Sequence, residues 1–216
     1  MSIKGIIFDL DGVICSTDEY HYLAWKAMAD NYGIYFDRVI NNRLRGVSRM
    51  TSLDIILENY HGRDLTDHQK LEMAAFKNDL YRSFLKQMSP YDLKDEVKNS
   101  LDALKEMGIR IAIGSSSKNA PLILERIGLD GYFDAVCDGN DISNAKPDPE
   151  VFLKAAERLG LKPYECLVVE DAVSGAEAGH NGGFAVIALG DAAKELAGDH
   201  NIRNFPEIVE IVRQKL

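Results

Sequence analysis

The sequence predicts an α/β fold: a parallel sheet covered by helices and interrupted, after its first strand, by a long helical insertion. Three observations carry this. The apolar run from Ile3 to Phe8 ends at a carboxylate, as a short buried strand does. About 70 residues after Ser16 then show helical periodicity with almost no strand signal. From Asp92 onward strand-like and helix-like segments alternate, and the first strand is needed to complete the sheet they build. The expected domains are therefore a core made of residues 1–16 and 92–216 and a helical domain over 17–91.

Taken in order, the insertion offers three helical patterns, DEYHYLAWKAMADNYG, MTSLDIILENYHG and TDHQKLEMAAFKNDLYRSFLKQM. Ser16 or Thr17 can cap the first, with Glu19 completing a capping box, and Thr66 with Gln69 repeats the device. Gly33 and Gly62 fit helix ends. The later part reads as helix DEVKNSLDALKEMG, strand IRIAIG, helix NAPLILERIG, strand YFDAVC, helix DPEVFLKAAERLG, strand CLVVE, helix VSGAEAGHNG, strand FAVIAL, and a last amphipathic helix in NFPEIVEIVRQKL. Gly108, Gly128 and Gly160 suit left-handed helix ends, and Asp148 with Pro149 suits a helix start.

Composition narrows the function. Hydrophobic residues make up 46% of the 216 and charged residues 27%, values of a globular chain that folds without staples. With 34 acidic and 25 basic residues the net charge is -9, which disfavours binding to DNA, RNA or anionic lipid but leaves room for a local phosphate pocket. Cys15, Cys137 and Cys166 lack CxxC spacing and read as reduced packing residues of a cytoplasmic protein. The start MSIKGIIFDLDG is too short and too acidic for a secretory signal, and no run approaches the roughly 18 apolar residues of a membrane span.

In an open parallel sheet, ligands gather at the carboxyl ends of the strands. The residues there are Asp9 and Asp11, Ser115 to Ser117, Asp138, and Glu170 with Asp171. Asp9, Asp11, Glu170 and Asp171 in one crevice would repel unless a cation sat among them, and all-oxygen donors favour magnesium. Ser115, Ser116 and Lys146 are suited to holding a phosphoryl group. The chemistry these groups suggest is phosphoryl transfer, with one aspartate attacking phosphorus and the other moving a proton. Each feature alone also has a purely structural reading. Asp-x-Asp-Gly makes a turn, Ser115 to Ser117 and Glu170-Asp171 make helix caps, and Lys146 makes a surface charge. Their occurrence together at strand ends is what favours the chemical reading.

FDLDGV at 8–13, the serines of AIGSSS, Lys146 in KPDP, and VVEDAVSG at 168–175 together resemble the haloacid dehalogenase superfamily, motif by motif and in order. The resemblance implies a Rossmann-like core with an inserted helical cap. It also implies a phosphoaspartate at Asp9, general acid and base work at Asp11, phosphoryl binding by Ser115 and Lys146, and magnesium held or oriented by Asp9, Asp11, Glu170 and Asp171. TDEYHYLAWKAMA, LRGVSRMTSL and AFKNDLY in the cap, with SSSKNAP in the core, resemble the β-phosphoglucomutase subfamily.

That likeness implies that Thr17 and His21 position Asp11. It assigns Arg49, with Ser117 and Asn119, to the phosphate not being transferred, counts Ser116 among the substrate-binding residues, and places Trp25, Gly46, Val47, Ser52 and Lys77 along the sugar. Judged singly, Trp25 and His21 would be packing residues and Arg49 and Lys77 solvated charges. This chain has Ser16-Thr17 where the subfamily commonly has Asp-Thr, and Arg45 where it has lysine. The activity implied is interconversion of β-D-glucose 1-phosphate and D-glucose 6-phosphate, with glucose 1,6-bisphosphate as activator and intermediate. The expected partners are small phosphorylated sugars, and a monomer is expected. A sugar-phosphate phosphatase on the same core and a non-enzymatic phosphosugar sensor are the alternatives.

Overall fold

A computed structural model of the chain describes residues 2–44 and 47–215. It divides into two compact units, Met1–Ser16 with Met88–Leu216, and Thr17–Gln87. The first holds a six-stranded, wholly parallel sheet in the order β3-β2-β1-β4-β5-β6. Its strands are β1 (Gly5–Phe8), β2 (Arg110–Gly114), β3 (Ala135–Cys137), β4 (Cys166–Glu170), β5 (Ala185–Ala188) and β6 (His200–Asn201).

β1 is central, with Gly5 opposite both Arg110 and Cys166, and all four of its residues are buried. Alternation sends Ile7 and Phe8 to opposite faces. Ile7 joins Phe152 and Phe184 in the apolar layer beneath α7 (Glu150–Leu159) and α8 (Val173–Asn181). Phe8 stacks on Phe205, ring centroids 5.6 Å apart, on the face that carries α5 (Asp95–Glu106) and α10 (Glu207–Arg213). The first strand in sequence reverses the order of strand addition, so the switch point lies between β1 and β4, where this kind of sheet opens a crevice. Cys15, Cys137 and Cys166 are all buried and unbridged.

The second unit contains α1 (Asp18–Asn31), α2 (Arg38–Asn42), α3 (Arg49–Leu57) and α4 (Asp67–Leu85). Trp25, Met28, Phe36, Leu53, Ile56 and Met73 form its own apolar cluster. The Thr66–Gln69 capping box is present at the start of α4. The box expected at Ser16–Glu19 is not. Thr17 is the N-cap of α1 without a side-chain capping bond; its hydroxyl accepts from Tyr81 at 3.0 Å, while Glu19 takes a two-pronged bond from Arg38. Gly62 likewise does not end a helix, because α3 stops at Leu57 and Glu58 turns to pair with Arg43. Gly33, by contrast, is left-handed just after α1.

Three short elements lie outside the expected pattern: α2, α9 (Gly190–Lys194) and β6. Each has at most five residues, too few to show a period. α2 exists because the Asp37 carboxylate accepts the Ile40 N–H at 2.9 Å.

Candidate active site

At the carboxyl end of β1 the Asp9 N–H donates to Val169 of β4 at 2.9 Å, so the sheet ladder holds the residue that follows the strand. The chain then turns within Leu10 to Cys15, with the Gly12 N–H on the Cys15 carbonyl at 2.7 Å. Gly12 has φ +85°, and a Cβ there would stand 2.1 Å from Asp171 Oδ2. Position 12 is thus closed to other residues on both conformational and steric grounds, and the closure brings the loop against Asp171. Gly175 does the same for the neighbouring carboxylate, since a Cβ there would lie 1.9 Å from Glu170 Oε1.

Lys146, from the loop between β3 and α7, joins the two sides of the switch point. Its Nζ donates to Asp9 Oδ1 at 2.5 Å and to Glu170 Oε1 at 2.6 Å, and the three side chains are only 9%, 11% and 2% exposed. The second Glu170 oxygen accepts the N–H groups of Asp171 and Ala172 at 2.9 and 3.0 Å. Burial pushes the Asp9 carboxyl well above the usual carboxylate range; Lys146 opposes this, and Glu170 and Asp171 reinforce it. Burial also works against the Lys146 charge, but Asp9 and Glu170 outweigh it and hold the ammonium above the ordinary lysine range. Lys146 therefore offsets part of the cost of burying the Asp9 charge.

Ser115 and Asn119 are buried, Ser117 is half-buried and Ser116 exposed. The Ser115 N–H donates to Cys137 at 3.0 Å, and its Oγ accepts the Ser117 N–H at 3.1 Å; Ser117 Oγ in turn accepts from Asn119 at 3.2 Å. The expected serine cap is not made: these hydroxyls order the loop ahead of α6 (Ala120–Arg126), whose N-cap, Asn119, has no side-chain capping bond. Asp138 is taken up by its own turn, accepting the Asn140 N–H at 2.7 Å.

Among the described residues no three His, Cys, Asp or Glu side chains are gathered as a metal cage. The donor chemistry nonetheless fits a hard divalent ion. Asp9, Glu170 and Asp171 bring carboxylates to the switch point, with Asp11 two residues after Asp9; Lys146 bonds Asp9 and Glu170, and burial first, then Glu170 and Asp171, raise the Asp9 carboxyl. Glu170 is itself engaged by Lys146 and two amides.

In the helical unit, Lys77 is 3% exposed and its Nζ lies 2.8 Å from His21 Nδ1 and 4.7 Å from the ring centroids of Trp25 and Tyr81. The His21 ring lies 4.0 Å from that of Tyr81. Enclosure of His21, then the charges of Lys77 and Arg49, hold its pKa well below the usual histidine value. The lowered pKa favours the neutral imidazole, and because a Lys77 ammonium can only donate, this contact assigns Nδ1 as the acceptor and the proton to Nε2. Arg49, exposed at the start of α3, donates to Asn78 Oδ1 at 2.9 Å. Trp25 is buried in the apolar cluster, Ser52 is buried on α3, and Val47 is exposed; Gly46 lies outside the described residues.

Because the folded pKa of His21 is depressed, its contribution to stability is present above the unfolded value near 6.5 and is lost as pH falls through the folded one. Denaturant titrations between pH 7 and 5 should show wild type losing on the order of 1 kcal/mol more than His21→Gln.

Tyr81 and Asn78 were not singled out by motif. Tyr81 is four residues after Lys77 on α4, so helical spacing alone would have pointed to it, whereas Asn78, next to Lys77 in sequence, carries no such signal.

The model of haloacid dehalogenase-like hydrolases matches residues 3–183 of the sequence. The chain belongs to this family. Within these hydrolases it is closely related to β-phosphoglucomutases. It is 38% identical to the β-phosphoglucomutase of Bacillus subtilis over 208 residues, covering 95% of this chain and 92% of that one. A crystal structure of β-phosphoglucomutase from Clostridium difficile superposes with a TM-score of 0.88 at 33% identity, over 99% of this chain and 96% of the other. A phosphorylated carbohydrates phosphatase of Thermotoga maritima is 30% identical over 222 residues, 99% of this chain and 100% of its own. The chemistry of this family member is phosphoryl transfer of the mutase or phosphatase kind. No helix among the described residues is long and apolar enough to cross a membrane.

Proposed function

We propose that the protein interconverts β-D-glucose 1-phosphate and D-glucose 6-phosphate through a phosphorylated Asp9 and a bound glucose 1,6-bisphosphate. The cationic set of the helical unit carries this reading: buried Lys77 on neutral His21, and Arg49 oriented by Asn78. A phosphatase needs a place for one phosphoryl group. A mutase that releases and reverses a bisphosphate needs a second anion site, and Arg49 has the charge and donor geometry for it.

In this scheme phosphorylated Asp9 gives its phosphoryl group to one sugar hydroxyl while Asp11 takes the hydroxyl proton. The bisphosphate reverses, Asp9 attacks the other phosphorus, and Asp11 returns the proton to the departing sugar oxygen. Lys146 and Ser115 stabilise the oxygens of the transferring group. Asp9, Asp11 and Asp171 would hold a magnesium ion, with Glu170 orienting the set; when bound, the ion supplies positive charge to the phosphoryl oxygens.

The test is product identity. With magnesium, β-glucose 1-phosphate and a trace of the bisphosphate, glucose 6-phosphate should be the main product and the α-anomer should not turn over. The 30% identity to a carbohydrate phosphatase over the whole chain supports the second reading, hydrolysis of sugar phosphates. Free phosphate as the main product would establish that reading and remove the first.

A further inference from the structure

We propose that Glu150, the first residue of α7, is a positioning residue that sets Lys146 through the backbone of the loop before it. The inference rests on the assignment of Lys146 to the transferring phosphoryl group. Lys146 stands in a stretch without regular structure between Cys137, the end of β3, and Glu150. An ammonium carried on such a loop holds position only as well as the loop backbone does, and a displacement of about 1 Å at a catalytic group can cost on the order of 10² in rate.

Glu150 supplies the constraint. One carboxylate oxygen accepts both the Ser143 and the Asn144 N–H, at 2.9 and 2.8 Å, the two amides that precede Ala145 and Lys146. The other takes the Lys154 ammonium at 2.7 Å, one helical turn on. Lys154 also donates to the Asp141 carbonyl at 2.6 Å, so the same pair grips the loop at a second point. Lys154 and then the Asn144 amide hold Glu150 ionised, its pKa lowered to about 2. An anionic acceptor on a helix, shared by consecutive loop amides, is a stiffer support than loop-to-loop bonds. The Glu150–Lys154 spacing of KPDPEVFLK shows this tie in the sequence.

The experiment is a double-mutant cycle with Lys146→Ala, counting total turnover of β-glucose 1-phosphate as glucose 6-phosphate plus free phosphate, at enzyme concentrations high enough to measure the crippled variants. Glu150→Ala is expected to lower kcat roughly tenfold or more in the wild-type background with KM nearly unchanged, and by less than about twofold once Lys146 is alanine. Hydrogen exchange should show the Ser143 and Asn144 amides deprotected while those of β4 stay protected. Glu150→Gln, which keeps an oxygen for the two amides, should retain most of the activity, and Glu150→Met, a good helix former without an acceptor, carries the cycle if the alanine variant does not fold. Equal losses in both backgrounds, or no loss of kcat in wild type, would overturn the proposal. A Lys146→Ala variant with full activity would instead remove the assignment of Lys146 itself, and this proposal with it.

Discussion

Asp9→Asn is expected to abolish turnover, by on the order of 10⁴-fold or more, while leaving the thermal midpoint unchanged or higher. The loss follows from removing the oxygen that attacks phosphorus in the proposed mechanism. The stability result follows from charge. Asp9 and Glu170 share one ammonium, so the buried trio carries a surplus negative charge, and burial raises the Asp9 carboxyl. A carboxyl whose folded pKa is raised contributes stability below its unfolded value near 3.9 and loses it as pH rises through the folded value. Once the Asp9 carboxyl is ionised that contribution is gone, and the isosteric amide leaves Lys146 and Glu170 as a balanced pair. Thermal scans without magnesium at several pH values check this: the margin of the asparagine variant over wild type should widen as pH rises from about 4. A large drop in midpoint would show that the Asp9–Lys146 bond is worth more than the burial of the charge.

Lys146→Ala should behave in the opposite way, losing both activity and stability. Removing the ammonium leaves Asp9 and Glu170, 11% and 2% exposed, facing each other without a cation. Breaking a buried ion pair from one side typically costs about 3–5 kcal/mol, and that range is expected in denaturant unfolding at pH 7. The rate should fall by on the order of 10²–10³-fold, the size of a lost electrostatic contact to a transferring group. Magnesium should restore part of the lost stability, because it supplies charge the variant lacks. A variant as stable as wild type would mean that one carboxylate is protonated in the native protein.

The large elements were legible because their signals are long. β1, β2 and β4 are continuous apolar runs bounded by charge or glycine, and α5 and α7 carry an apolar stripe beside a polar one. Asp9 and Lys146 were readable from the chemistry of strand ends, yet their direct bond was not, since nothing local links positions 137 residues apart. The Ser16–Glu19 box failed because Thr17 is the N-cap of α1, with its hydroxyl taken by Tyr81, and because Arg38 holds Glu19. Glu170 was expected at the metal. Its engagement by Lys146 and two amides depends on the turn into α8, which Gly175 makes room for and which no pattern in VVEDAVSG displays.

The central place of β1 also orders events during synthesis. Gly5 pairs with Arg110 on one side and Cys166 on the other, so both edges of this early strand wait for partners made much later. The unit Thr17–Gln87 is contiguous and closes its own apolar cluster from nearby helices, so it can fold while β1 is still unpaired. The carboxylate assigned to attack phosphorus is thus made well before the strands that organise it. Until β4 and Glu170 have been made, Asp9 and Lys146 lack part of the frame in which they meet.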